Sequence, residues 1–430
     1  MAYYIKNFKN ISDYNDYINN NPLLPNVSLI GEETVIYNQE PINYSEEPLT
    51  FEILSDGIIK WTTTNTAFTT TIEYSKNDDE WTPITSTTAG TEINVVAGDI
   101  ITFKADNQTY YSKEGYVCHF SDTTCEFNVY GNIMSLINST GYTTATTLTL
   151  SDNFNSLFQY CTGLIDASNL ILPATTLTPY CYQYMFEGCT SLVTAPELPA
   201  TTLAQYCYLN MFEGCTSLVN APELPATTLA ESCYSSMFLG CTSLVTAPEL
   251  PATNLAQYCY ANMFNNCTLL VNAPELPATT LAQYCYYSMF EGCTSLVTAP
   301  ELPATNLAQY CYYYMFYNCT SLVNAPELPA TTLANFCYQY MFRNCTSLEI
   351  APSLSATTLA NSCYASMFFG CSKLSYIKCL ATNISAFNCT FNWINGVSEN
   401  GTFVKVSDVD WSGKTGYNGI PSGWQVVDAT

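Results

Sequence analysis

Apolar residues recur along most of this chain with one fixed step. Cysteines stand at 181, 207, 233, 259, 285, 311, 337, 363 and 389, each 26 residues after the last, and a second series runs 189, 215, 241, 267, 293, 319, 345 and 371. The unit reads C-Y-x-x-M-F-x-x-C-T-S-L-V-x-A-P-E-L-P-A-T-x-L-A-x-x. A period in this range means an array of stacked repeats, and 26 residues is too few for a propeller blade. In the first half of a coil, Leu203, Cys207, Met211 and Cys215 fall at i, i+4, i+8 and i+12, with Tyr208 and Phe212 on the neighbouring stripe. That spacing predicts an amphipathic helix capped by Thr201 or Thr202. The residue before the second cysteine is Gly188, Gly214, Gly240, Asn266, Gly292, Asn318, Asn344 or Gly370. Gly and Asn both tolerate the left-handed conformation, so the helix is expected to end there. The second half, as in Ser217–Pro222, predicts a short strand stacked in parallel on its copies and stopped by proline. At about 4.8 Å per stacked strand, eight coils would span about 40 Å.

The unit resembles the BspA-like leucine-rich repeats: Met-Phe-x-x-Cys-Thr-Ser-Leu followed by Leu-Pro recurs in nearly every coil from about 150 to 380. Its repeat is a few residues longer than the family pattern and carries a second cysteine. The resemblance implies surface display and adhesion, not catalysis. The fold expected is an α/β leucine-rich-repeat-like solenoid of 26-residue coils, preceded by a small all-β sandwich and an N-terminal arm.

The flanking segments set the expected boundaries. Residues 1–46 are rich in Asn and Tyr, with Pro22, Pro25 and Pro41, and read as an arm or attachment module. Residues 47–130 alternate apolar and polar positions in short runs at 49–54, 69–74, 92–96, 99–104 and 125–130, the signature of a small Ig-like sandwich. Residues 131–175 read as linker and N-terminal cap, with a degenerate coil around Leu157–Leu164. Residues 176–378 form the repeat array, and 379–430 a C-terminal β cap carrying Phe403–Val406 and Trp424–Val427. The stretches Met1–Lys6, Leu23–Ile30, Pro48–Gly57 and Asn418–Trp424 together resemble virion proteins of phages of gut Bacteroidetes. That resemblance implies a virion fibre or appendage, a homo-oligomer joined to other virion proteins through its N-terminal region. Its partner would be a host surface glycan or protein. The rival reading is a BspA-like adhesin on a bacterial surface.

Composition narrows the chemistry. Of 430 residues, 48% are hydrophobic and only 11% charged, so the chain has ample core and a surface of Thr, Asn, Ser and Tyr. Eleven Lys and Arg against 36 Asp and Glu give a net charge of −25, which argues against nucleic-acid binding and docking on anionic membranes. No run of about 18 apolar residues predicts membrane insertion. The polar first 22 residues lack the apolar stretch of a secretory leader. A single histidine, His119, removes histidine triads and histidine-bound metals, and the chain is expected to be no enzyme and to use no cofactor.

Three sets of residues remain as candidates. The 21 cysteines include no C-x-x-C pair, so zinc is not expected. Within a coil the two thiols would sit about 12 Å apart along a helix, too far for a disulfide. A ladder of buried free thiols is therefore expected, suited to assembly in a reducing compartment, with disulfides between coils as the alternative. Cys118 and Cys125 flank a hairpin turn and could pair. Glu197, Glu223, Glu249, Glu275, Glu301 and Glu327 form a second ladder. Stacked carboxylates would either face solvent as an ordinary edge or recruit cations. The third set lies where the coils differ. Residues after Cys-Tyr vary while the core positions stay fixed, and so do Glu187, Leu239, Asn265, Tyr317, Arg343 and Phe369. Tyr, Ser and Asn suit adaptable recognition, so these positions are either surface drift without a partner or a binding face around Tyr184, Tyr287, Tyr313, Tyr314, Tyr317 and Tyr340. One position alternates, as Thr194, Asn220, Thr246, Asn272, Thr298 and Asn324, which implies duplication of a two-coil unit.

Overall fold

The structure is a computed structural model. It describes residues 43–111 and 115–429, and the backbone of three earlier strands, β1 (Tyr4–Asn7), β2 (Val27–Leu29) and β3 (Thr34–Tyr37). Those three pair antiparallel in the order β1-β3-β2. The rest of the expected arm at 1–46, as far as residue 42, lies outside the described residues.

Between Leu49 and Asn132 the chain forms β4 (Leu49–Ile53), β5 (Gly57–Thr63), β6 (Thr71–Lys76), β7 (Thr82–Thr85), β8 (Thr91–Val95), β9 (Ile100–Lys104), β10 (Cys118–Phe120) and β11 (Phe127–Asn132). One sheet has the order β10-β5-β8. The other holds β11-β4-β9-β6-β7 and gains a further strand, β12 (Leu164–Ile171), at the β11 edge. Alternation along β4 and β9 sends Leu49, Phe51, Ile53, Ile101 and Phe103 inward. Phe51 of the larger sheet meets Phe120 of the smaller at 4.9 Å between ring centroids and stacks on Phe127 at 4.6 Å. The pairing of β11 with β12 is parallel, whereas every pairing among the earlier strands is antiparallel. The first coil is thus built directly onto the sheet, and Phe120, Phe158 and Phe186 carry one stack of rings from module to array.

The expected helices are absent: among the described residues no α-helix occurs, and the repeat is a ribbon of tight turns. In the coil of Cys207, every second amide closes a four-residue turn: Cys207 N donates to Ala204 O, Leu209 N to Tyr206 O, Met211 N to Tyr208 O, Glu213 N to Asn210 O and Cys215 N to Phe212 O, at 3.1–3.3 Å. The amides between them donate to the next coil: Tyr208 N to Cys233 O, Asn210 N to Ser235 O, Phe212 N to Met237 O and Gly214 N to Leu239 O, at 2.8–3.1 Å. From Tyr206 to Cys215 each backbone donor is satisfied, half of them within the coil and half across coils. The physical reason for the correction is in the spacing itself. A helix has 3.6 residues per turn, so a strict four-residue step drifts by about 40° each time and would scatter the stripe over about 120° in three steps. Every fourth residue is left-handed instead, as at Tyr206 (φ 59°), Asn210 (φ 56°) and Gly214 (φ 70°). A right-handed helix admits none of these. The expectation of a left-handed residue at Gly188, Gly214, Gly240, Asn266, Gly292, Asn318, Asn344 and Gly370 holds in all eight coils.

The expected strand at Ser217–Pro222 shrinks to one residue per coil. Thr194, Asn220, Thr246, Asn272, Thr298 and Asn324 make single parallel bridges to one another, and a second column links Thr176 to Thr202, Thr228 to Asn254 and Thr280 to Asn306. Two prolines between the columns, Pro222 and Pro225 in the coil of Asn220, remove donors that a longer ladder needs. At the far end, β13 (Tyr376–Cys379), β14 (Thr402–Lys405) and β15 (Gln425–Asp428) form a parallel sheet in that order. It continues the column of bridges, through Ile350 to Tyr376. Trp393 takes the place of the repeated methionine and receives both ring stacks, from Tyr364 at 6.4 Å and Phe368 at 6.3 Å.

Inside the array each coil contributes the same buried set: Cys207, Tyr208, Met211, Phe212, Cys215 and Leu218 are at most 1% exposed, as are their copies through the Cys337 coil. Phe rings stack coil on coil at 5.4–6.0 Å and the buried tyrosines at 5.6–6.1 Å. All 21 cysteines are buried free thiols, Cys118 and Cys125 included. Cys118 bonds Ser86 Oγ at 3.3 Å rather than Cys125. The second-series thiols have a distinct task. Cys215 Sγ donates to Phe186 O at 3.1 Å, and Cys241, Cys267, Cys293, Cys319, Cys345 and Cys371 each donate to the carbonyl 29 residues back. A thiol is apolar enough for full burial and still supplies one weak donor.

Candidate functional site

Four positions per coil lie on the outer side of the turn ribbon, between the fixed core residues. In the Cys311 coil they are Tyr310, Tyr313, Tyr314 and Tyr317. The turn geometry sets them out: Tyr310 and Tyr314 are left-handed, at φ 59° each, and the residues that follow them point inward as Cys311 and Met315. The first of the four is aromatic in six coils, and over most of the array the other three hold Ser, Asn, Ala, Gln, Leu or Glu. Across three adjoining coils, those of Cys285, Cys311 and Cys337, tyrosines gather at these three: Tyr287, then Tyr313, Tyr314 and Tyr317, then Tyr340.

The result is one continuous aromatic surface. Tyr287 stacks on Tyr313 at 5.4 Å, and Tyr314 on Tyr340 at 4.5 Å. Tyr313 meets Tyr314 edge-on at 4.5 Å and Tyr340 at 5.4 Å, while Tyr317 leans on Tyr314 at 5.2 Å. All five are partly exposed. Sequence reasoning missed the row beside them: Tyr258, Tyr284, Tyr310 and Phe336 stack successively at 4.5–4.6 Å and brace Tyr287 and Tyr313 from the side. The signal was present, since the residue before the first cysteine of each coil is aromatic in most coils. Arg343 also belongs here, its guanidinium 4.0 Å from the Phe369 ring centroid, 5.6 Å from Tyr340 and 6.0 Å from Tyr317. Tyr184 does not join the cluster. It lies four coils away, where Glu187 and Glu213 surround it.

Burial sets the electrostatics of the patch. It raises the phenol pKa of Tyr287, with Glu291 adding to the effect, and that of Tyr313, with Tyr314 and Tyr340 adding. Tyr314 is raised by the same cause, opposed by Arg343. These phenols are neutral O–H groups at physiological pH, offering ring faces and hydroxyl donors side by side.

The glutamate ladder occupies another part of the coil. Glu197, Glu223, Glu249, Glu275, Glu301 and Glu327 are all exposed. They line shallow grooves in pairs, Glu197 with Glu223, Glu249 with Glu275 and Glu301 with Glu327, between prolines such as Pro248, Pro251 and Pro277. The grooves measure about 370–420 Å³ and recur every second coil, in step with the Thr/Asn alternation. Among the described residues, no three His, Cys, Asp or Glu side chains group as a metal site, and no helix is long and apolar enough to cross a membrane.

A stacked ribbon repeat with a Met-Phe-x-x-Cys core at a 26-residue period marks a repeat protein. The family model for the BspA-type leucine-rich repeat region matches in six copies over residues 138–271 and 257–396, and the chain belongs to that family. Such repeats point to adhesion or surface binding. No curated protein and no solved structure matches the chain significantly.

Proposed function

We propose that this protein is a non-catalytic binding protein whose repeat array, a solenoid, presents the Tyr287–Tyr340 surface to a host surface glycan or protein. The observation that carries this reading is the gathering of five outward tyrosines in three adjoining coils, at positions that are mostly polar or small elsewhere in the array. Random drift would spread them along the rod. Tyr supplies large contact area at low conformational cost, as recognition surfaces require. Single contacts would be weak and multiplied by copy number.

The carrier proposed is a virion, with the chain as fibre or surface appendage. Its N-terminal region would hold it among other virion proteins, as a homo-oligomer. The terminal motifs and the thiol-rich core, suited to a reducing cytoplasm, support this; a bacterial cell-surface adhesin is the alternative. Immunogold labelling of particles and cells from the source culture separates the two. For the binding role, the test is retention of labelled full-length chain on host cells, compared with Tyr314→Ser/Tyr340→Ser. The double variant is expected to lose at least tenfold in retention while Tyr184→Ser keeps it. Equal retention by all three overturns the reading.

A further inference from the structure

The aromatic surface holds the one permanent cation of a long acidic stretch. Between Lys113 and Lys373 the sequence contains no lysine, and Arg343 is the only arginine in the whole chain. In a molecule of net charge −25, with 36 carboxylates, that cation could have sat beside any of them. Instead it sits among Tyr317, Tyr340 and Phe369, and none of the four ion pairs among the described residues includes it. Its own column carries Glu187, Glu213 and Glu291 in other coils, but its two neighbours in that column are Tyr317 and Phe369. A guanidinium over a ring face keeps its in-plane N–H donors for a planar anion, and a carboxylate fits that fork in two parallel hydrogen bonds.

The rest of the molecule limits how much negative charge the ligand can carry. A densely charged polyanion would meet the field of the whole acidic protein. A chain of mostly neutral rings with spaced carboxylates would not, and its flat apolar faces match the Tyr287–Tyr313 and Tyr314–Tyr340 stacks while its hydroxyls match the phenols. We propose that the surface takes an acidic glycan, with a sugar carboxylate on Arg343 and adjoining sugar rings on the tyrosines. This rests on the binding role proposed above and names its ligand class.

The test pairs oligosaccharides with their own carboxyl-reduced forms: hyaluronan oligosaccharides, sialyllactose and partly esterified oligogalacturonate, each beside the neutral product of its reduction. Binding is read by calorimetry on the full chain, on Arg343→Gln and on Arg343→Lys, with circular dichroism to show that each variant is folded. The expected result is a preference of tenfold or more for the acidic member of at least one pair. That preference is abolished in Arg343→Gln, partly kept in Arg343→Lys, and weakened by salt. Equal binding of both members, or a preference that survives Arg343→Gln, overturns the acidic-glycan assignment. So does the absence of any glycan binding. In each case the host-cell retention of the tyrosine variants reports separately whether the binding role stands.

Discussion

Left-handed residues at every fourth position are the local feature on which the coil depends. Most side chains resist this conformation by about 1–2 kcal/mol, and the coil meets that cost differently at each position. Gly or Asn fills the last one. Tyr206, Tyr284 and Tyr310 are held in it by stacking on their neighbours in adjacent coils, as Tyr284 does on Tyr310 at 4.6 Å. Gly240, at φ 72°, has no atom closer than 3.9 Å to an added Cβ. Gly240→Asn should therefore be nearly neutral in urea denaturation, as the Asn coils already suggest, whereas Gly240→Val should cost about 1–2 kcal/mol or more, since β-branching worsens the strain. A different residue governs the pH response. His119 is 7% exposed, its Nδ1 lacks a partner, and burial lowers its pKa from 6.5 to about 4 against the opposing pull of Asp122 and the Ser156 carbonyl. The unfolded chain protonates this ring first as pH falls. The contribution is thus fully present above pH 6.5 and is lost between 6.5 and 4, by about 3 kcal/mol. Thermal melts of His119→Gln should lose less stability across that window than the parent; an identical loss would exclude His119 as its source.

A coil is the unit at which sequence and structure parted. The 26-residue period, the inward Cys, Tyr, Met, Phe and Leu, the left-handed Gly and Asn, and the parallel stacking were all legible, because burial and φ preference are written in residue type. The helix was not, although the repeated four-residue step argued against it: apolar spacing reports which residues share a side, and a turn ribbon and a helix both place i and i+4 together. Strands β5, β7 and β10 also escaped notice. Gly57–Thr63 opens on a turn-forming glycine and then buries consecutive Trp61, Thr62 and Thr63, which breaks the alternation that marks a half-buried strand. At this scale the Phe ladder makes a sharp prediction. Phe264 stacks on Phe238 at 5.7 Å and Phe290 at 5.6 Å and is fully buried. Phe264→Ala should cost about 3–5 kcal/mol in denaturant unfolding. Hydrogen exchange should show the loss centred on the Cys259 coil and its neighbours, because a stacked array is stabilised between nearest neighbours.

For the molecule as a whole, the decisive feature is that module and array share one core. Strand β12 pairs with β11, and the rings of Phe120, Phe158 and Phe186 cross the boundary without a break. A fragment beginning at residue 43 should stay monomeric in analytical ultracentrifugation. One beginning at residue 176 should associate, since it bares the Tyr182 and Phe186 faces and the donors and acceptors of the first bridge columns. The array places the aromatic surface at one point along its length, and the adjacency of Tyr287, Tyr313, Tyr314, Tyr317 and Tyr340 was legible from the positions where coils differ. Tyr184 lies apart from these five, since variability marks what faces outward, not which outward residues meet. The measurement that tests this account most directly is hydrogen–deuterium exchange, with and without the surface the protein is retained on, mapped peptide by peptide. Protection confined to residues 284–343, with the 180–240 coils and the Glu–Pro grooves unchanged, is the predicted result. Protection centred on those grooves or on the N-terminal sheets, with the Tyr287–Tyr340 surface still exchanging freely, would contradict it.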